Sequence, residues 1–168
     1  MQIRLANIAD IEAIEALLNR CYPVLMKPAY EESVLARALP VMTKANPKLI
    51  DARAFYVAEL DGEMVGCGGW SLDRPGDGSV IEGLAHIRHF AVDPDHNRKG
   101  IGKAIFQYSA QAAKMSGASR LQAFSSLNAE PFYHHMGLKR LELIDISMSE
   151  GMRFPVSFME GPATSSQL

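Results

Sequence analysis

The sequence predicts a mixed α/β fold in one domain, a central sheet of about seven strands flanked by about four helices. Three observations carry this. An Asp61-Gly62 turn joins two strand-like runs in the middle of the chain. A long apolar strand over residues 81–92 passes through Asp93-Pro94-Asp95 into a glycine-opened helix. Two alternating runs close the chain. The expected order is strand, two helices, three strands, helix, strand, helix, two strands.

Residues 2–6 alternate weakly and predict a short strand. Asn7, with Asp10 three residues on, has the form of a capping box. Ile11, Ile14, Leu17, Leu18 and Cys21 recur at helical spacing, so a helix is expected over residues 8–20, ended by Pro23. Val34, Leu35, Ala38 and Leu39 make the stripe of a second helix within residues 30–44, which Pro40 kinks or ends. Residues 45–52 read as a loop. Residues 53–60 and Met64–Trp70 flank Asp61-Gly62 as a hairpin. Gly66, Gly68 and Gly69 in its second strand suggest a bulge or the close approach of another backbone. Pro75, Gly76 and Gly78 mark a loop.

Ile101, Ala104, Ile105, Tyr108, Ala112 and Met115 form one helix face, and Gly117 is its expected stop. A short strand over 120–125 and a short helix from Glu130 to Met136 follow. Residues 138–147 and 153–159 are the last strands, joined at Ser149-Glu150-Gly151. One domain is expected over residues 1–160, with a frayed tail over 161–168. The strand–helix–strand unit over 81–125 should be a right-handed crossover between parallel strands.

Composition narrows the function. With 48% hydrophobic and 21% charged residues among 168, the chain has a globular balance. A net charge of −2 lacks the basic footprint of a nucleic-acid binder. No apolar run is long enough for a membrane span, and Met1-Gln2-Ile3-Arg4 has no signal-peptide core. Cys21 and Cys67 match no metal spacing and read as reduced thiols of a cytoplasmic protein, with Cys67 in the core.

The segment Asn97-Arg98-Lys99-Gly100-Ile101-Gly102-Lys103 carries the chemistry. A helix start offers unpaired N–H groups and the positive end of the helix dipole. Gly100 and Gly102 remove Cβ atoms that would hold an anion away, and Arg98, Lys99 and Lys103 add charge. Together they make a phosphate nest. A Walker A loop would need G-x-x-x-x-G-K-[ST], and a Rossmann loop three glycines after the first strand. Neither is present, which argues against a domain for another nucleotide.

Two motifs resemble the GNAT superfamily of N-acetyltransferases. Phe90-Ala91-Val92-Asp93-Pro94 followed by Asn97-Arg98-Lys99-Gly100-Ile101-Gly102 is similar to its V-x-P strand end and [QR]-x-x-G-x-[GA] loop. Asn128-Ala129-Glu130-Pro131-Phe132-Tyr133-His134-His135-Met136-Gly137-Leu138 is similar to its N-x-x-x-x-Y-x-x-x-G-[FL] segment. Asn97 departs from the usual Gln or Arg. The resemblance covers residues 2–160 and implies a GNAT fold and acetyl-CoA as co-substrate, with no metal. The acetyl group would pass to the amine of a small molecule or peptide. A catalytically silent acyl-CoA-binding module on the same fold is the alternative, and folds of this kind commonly pair as homodimers.

The resemblance further implies that the strand before the loop splays from its neighbour. The pantetheine arm then pairs with backbone at Phe90, Ala91 and Val92. An N–H near Val92 would polarise the thioester carbonyl. Arg98 to Lys103 would hold the pyrophosphate, and Asn128 would either touch CoA or cap the short helix. An amine of pKa about 10 is neutral in about one molecule per thousand at pH 7, a handicap of about 4 kcal/mol, so a base helps. The family places it six residues before the valine, at His86, with Glu82 as the next choice. His89 is expected to point to the opposite face. Tyr133 matches the general acid, since a phenol of pKa about 10 can protonate a thiolate of pKa about 8.5. The lesser alternative is that Phe132 and Tyr133 are plain core packing. Tyr22, Met26, Tyr30 and Trp70 are candidates to line the acceptor pocket. His134 and His135 fit no metal motif.

Overall fold

The structure is a computed structural model and describes residues 1–149 and 151–164. Seven strands make one sheet: β1 (Gln2–Leu5), β2 (Phe55–Leu60), β3 (Glu63–Ser71), β4 (Leu84–Val92), β5 (Arg120–Ser125), β6 (Lys139–Ser149) and β7 (Met152–Pro162). Their order across the sheet is β1-β2-β3-β4-β5-β7-β6. Among the described residues only β4 and β5 pair in parallel. Five helices flank the sheet: α1 (Ile11–Met26), α2 (Glu32–Met42), α3 (Pro47–Asp51), α4 (Ile101–Met115) and α5 (Glu130–His135). The predicted architecture holds, with one helix more than expected.

The departures have physical causes. The Asn7–Asp10 capping box closes as expected, but around a short 3-10 turn at Ile8–Asp10. α1 then runs through Pro23 to Met26. Pro23 removes one helical donor, yet Tyr22 and Met26 are buried against the sheet and hold the last turn in place. α2 likewise carries Pro40 inside it. α3 lies in the expected loop, where the Asn46 side chain accepts from the Lys48 N–H and Pro47 occupies the first turn. β7 extends through Gly161 and Pro162 to a buried Ala163, further than the expected domain end. Glu150 of the final turn and the tail over 165–168 lie outside the described residues.

The sheet separates two cores. On one face Tyr56, Val65, Trp70, Ile87 and Leu121 pack under α4 with Phe106 and Tyr133. On the other, Phe55, Val57, Cys67, Phe154 and Val156 pack under α1 and α2. The expected core position of Cys67 is observed, and its thiol donates to His89 O at 3.5 Å. Trp70, expected near the acceptor, belongs to the α4 face instead.

The glycines of β3 mark close approach. A Cβ on Gly66 would stand 2.7 Å from Ile101 Cγ2, and one on Gly68 would stand 2.7 Å from the Phe90 ring. A Cβ on Gly69 would collide with the carbonyl oxygen of Ala54. The expected bulge is also present. Cys67 pairs with Ala91 and Gly69 with Arg88, so β4 carries one residue more than β3 across this stretch. The extra residue sits at His89, whose φ of 55° is left-handed.

Candidate functional site

The parallel pairing of β4 with β5 covers only Leu84–His86 against Arg120–Gln122. Beyond it the strands part: β4 stays on β3, while β5 goes with β7. This is the expected splay. The Asp93 N–H bonds back to Val65 O at 2.9 Å. Bonds alternate along an antiparallel ladder, so the Val92 amide points the other way, into the gap. The Phe90 carbonyl accepts the Tyr22 hydroxyl at 3.1 Å, which ties α1 to the same strand.

The bulge decides which side chains reach which face. Ala85 and Ile87 belong to the α4 face, whereas beyond His89 it is Phe90 and Val92 that pack there and Ala91 that turns to the α1 face. One left-handed residue thus exchanges the faces within a single strand.

The phosphate loop follows. The Asp93 side chain accepts from the Asp95 N–H at 2.9 Å and from Arg20 Nε at 3.0 Å, fixing the turn against α1. Arg98 at φ 63° and Gly100 at φ 75° are both left-handed, and Gly100 caps α4. The first bond into α4 runs from the Ala104 N–H to Gly100 O at 3.0 Å. The amides of Ile101, Gly102 and Lys103 therefore have no helical acceptor. Arg98 and Lys99 are exposed and Lys103 half-buried around them. The two glycines differ in purpose. Gly100 has open space around it and serves the backbone turn. A Cβ on Gly102 would lie 3.1 Å from Phe132 and 3.4 Å from Val92, so this glycine seats α4 against α5 and β4.

Tyr133 closes the gap from α5. Its ring lies among Phe90, Phe106 and Phe132, with centroids 6.1, 6.5 and 5.1 Å away. The ring is thus packed in the core, and the residue also lines the cavity. Burial pushes its hydroxyl pKa well up, so the phenol is protonated at neutral pH. Asn128 lies in a 3-10 turn at Leu127–Ala129 and caps neither that turn nor α5, and its Oδ1 is buried without a partner. An unpaired buried acceptor fits a ligand that brings an N–H group to it.

A cavity of about 400 Å³ extends from this gap under α1 and α2. Tyr22 and Met26 line it as expected. Tyr30 instead works as a joint: its hydroxyl donates to Pro155 O at 2.7 Å and accepts from the Leu127 N–H at 2.8 Å. Its ring stacks on Phe154 at 4.4 Å.

The histidines are distributed otherwise than strand alternation predicts. His86 is 2% exposed, pairs opposite Ser71 and Gln122, and lies beyond the cavity wall. Burial, with Arg74 and Arg88 nearby, lowers its pKa and keeps it neutral. Glu82 stands exposed in the turn before β4. His89 does line the cavity, turned there by the bulge, and burial lowers its pKa to about 4. Arg88 and Ser126 also line the cavity, although neither sequence motif includes them. His134 and His135 are exposed.

No helix of the described residues is long and apolar enough to cross a membrane. The sequence profile of the acetyltransferase (GNAT) domain matches residues 51–140. N-acetyltransferase family 8 member 3 of Rattus norvegicus is 32% identical over 89 residues, 51% of this chain and 38% of that protein. S-(2-succino)cysteine N-acetyltransferase of Bacillus subtilis (strain 168) is 33% identical over 106 residues, 62% of this chain and 61% of that protein. This chain thus matches less than two thirds of either relative. Among solved structures, the PaiA N-acetyltransferase of Thermoplasma acidophilum in complex with coenzyme A superposes with a TM-score of 0.69. That match has 17% identity and covers 96% of this chain and 98% of the other, which is a likeness of fold. With more than half of its length matched by the family's profile and its sheet splayed where the motifs imply, this chain belongs to the GNAT acetyltransferase family.

Proposed function

We propose that this protein is an acetyl-CoA-dependent N-acetyltransferase acting by direct transfer to an amine. The observation that carries the reading is the break between β4 and β5 after His86 and Gln122, with the Val92 amide facing it and Tyr133 at its edge. The names of the two sequence relatives, both N-acetyltransferases, support the class of reaction.

Acetyl-CoA supplies the thioester. Its phosphates lie on the amides of Ile101, Gly102 and Lys103 with Arg98 and Lys99 alongside, and its pantetheine arm enters between β4 and β5 within reach of Asn128. The Val92 N–H takes up charge on the thioester oxygen as the amine attacks. The amine lone pair forms the new C–N bond. The C–S bond breaks, and the sulfur leaves with its electron pair and takes the Tyr133 proton. The proton lost by the amine passes through water to His86, which shares the Arg88 face of β4 one step further from the gap. The exposed position of Glu82 gives it a weaker claim.

The test is thiol release from acetyl-CoA across an amine panel, with and without Tyr133→Phe. The expected loss is about 100-fold in kcat, with the KM for acetyl-CoA little changed. Unchanged kcat would remove Tyr133 as the acid. CoA binding without thiol release to any amine would favour the silent acyl-CoA-binding module.

A further inference from the structure

The wall of the cavity under α1 and α2 contains no aspartate or glutamate among the described residues, but it does contain Arg88 and Lys44. Arg88 is the informative one. Its side chain is 13% exposed, and a guanidinium keeps its charge even there. A buried charge needs a partner. Nη1 donates to Ser71 Oγ at 2.9 Å, and that hydroxyl donates onward to Asp73 O at 2.7 Å. Asp73 Oδ2 stands 3.9 Å from the same Nη1 with its side chain 60% exposed, a distance and exposure at which the pair is screened. Nε and Nη2 have no acceptor among the described residues. The side chain is thus fixed at one nitrogen and open along the edge that matches a carboxylate. Around it the cavity is apolar, with Met26, Met42, Met148, Phe154 and Val156.

From this we infer that the acceptor is an amine carrying a carboxylate on an apolar body, an amino acid of hydrophobic or thioether type, with its carboxylate on Arg88. The inference rests on the N-acetyltransferase reading of the site and names the substrate class for it. A polyamine or a lysine-rich peptide would meet Arg88 and Lys44 with like charge and find no carboxylate in the wall.

The experiment compares L-methionine, L-leucine and L-phenylalanine with their carboxamides as acceptors, read by thiol release from acetyl-CoA. The wild-type protein should favour each acid over its amide by about 10- to 100-fold in kcat/KM, as for loss of a charge-assisted bond. Arg88→Met should erase that preference by raising KM for the acids far more than for the amides. Arg88→Lys, which keeps the charge but loses the fork, should fall between. Acids and amides used alike by the wild type would overturn the carboxylate assignment and leave N-acetylation standing. Equal losses for acids and amides in Arg88→Met would overturn it too. Absence of thiol release with all of these compounds and with every other amine would remove N-acetylation itself, and this inference with it.

Discussion

Leu84–His86 and His89–Val92 belong to one strand, yet they are held differently. The first stretch is paired with β5 along its length and meets β3 at His86. The second has β3 alone, carries a left-handed residue, and has exchanged the faces of its side chains. The first is framework, because its backbone is paired with β5 at every residue. The second has no strand on its far side, as on an edge strand, but in the middle of the sheet, with the Phe90 carbonyl taken by Tyr22. Such an edge normally invites another chain; here it borders a cavity whose wall includes residues of α1, α5 and β7. The lesson is that a sheet can build a binding site by withholding a pairing, with no extra loop or domain.

The largest expected effect strikes the seam on which both halves rest. Gly69→Ala drives a methyl into the Ala54 carbonyl, a backbone group that cannot turn aside. It should cost about 3 kcal/mol, lowering the melting temperature by about 6–12 °C for a domain of this size. A calorimetric scan checks it, and an unchanged midpoint would mean that β2 and β3 can slide apart. A smaller effect contrasts the halves directly. His89→Gly relieves a left-handed side-chain residue and should gain about 1 kcal/mol, whereas His86→Gly, in the regular half, should lose stability. Losses of equal size in both would show that the bulge stores no strain. The smallest effect near neutrality concerns pH. Unfolded, His89 takes a proton near pH 6.5; folded, it does so only near 4. Between those values the unfolded chain holds the extra proton, so stability is intact above about pH 6.5 and falls as pH drops toward 4. Denaturant midpoints over that range should fall further in the wild type than in His89→Gln, and parallel curves would reassign the titration elsewhere.

Much of this was legible in the sequence, and the parts that were not share a cause. Asp61 and Gly62, at φ 52° and 82°, form the turn their dipeptide announces, and Gly100 is left-handed at the head of its helix. These are local requirements, and local chemistry states them. The continuation of α1 past Pro23 was hidden because it depends on what Tyr22 and Met26 are buried against. The Asn46-Pro47 start of α3 was written in the chain as a capping residue followed by a first-turn proline, a signal that a five-residue helix makes easy to pass over. Counting six residues back from Val92 reaches His86, but counting assumes an even ladder, and the bulge at His89 adds a residue between them. Arg88 carried no signal at all: one arginine in a strand looks solvent-bound until the cavity around it is known.

The Tyr30 hydroxyl has a consequence for the order in which the molecule is made. It holds Leu127, 97 positions along the chain, and Pro155, 125 positions along. Contacts of that span form late, since the closure entropy of the intervening chain must first be overcome by other contacts. The hairpin of β2 and β3 has no such delay. During synthesis, then, the framework can settle while the cavity still lacks its far wall, and the chain acquires a place for its ligands only when β7 arrives.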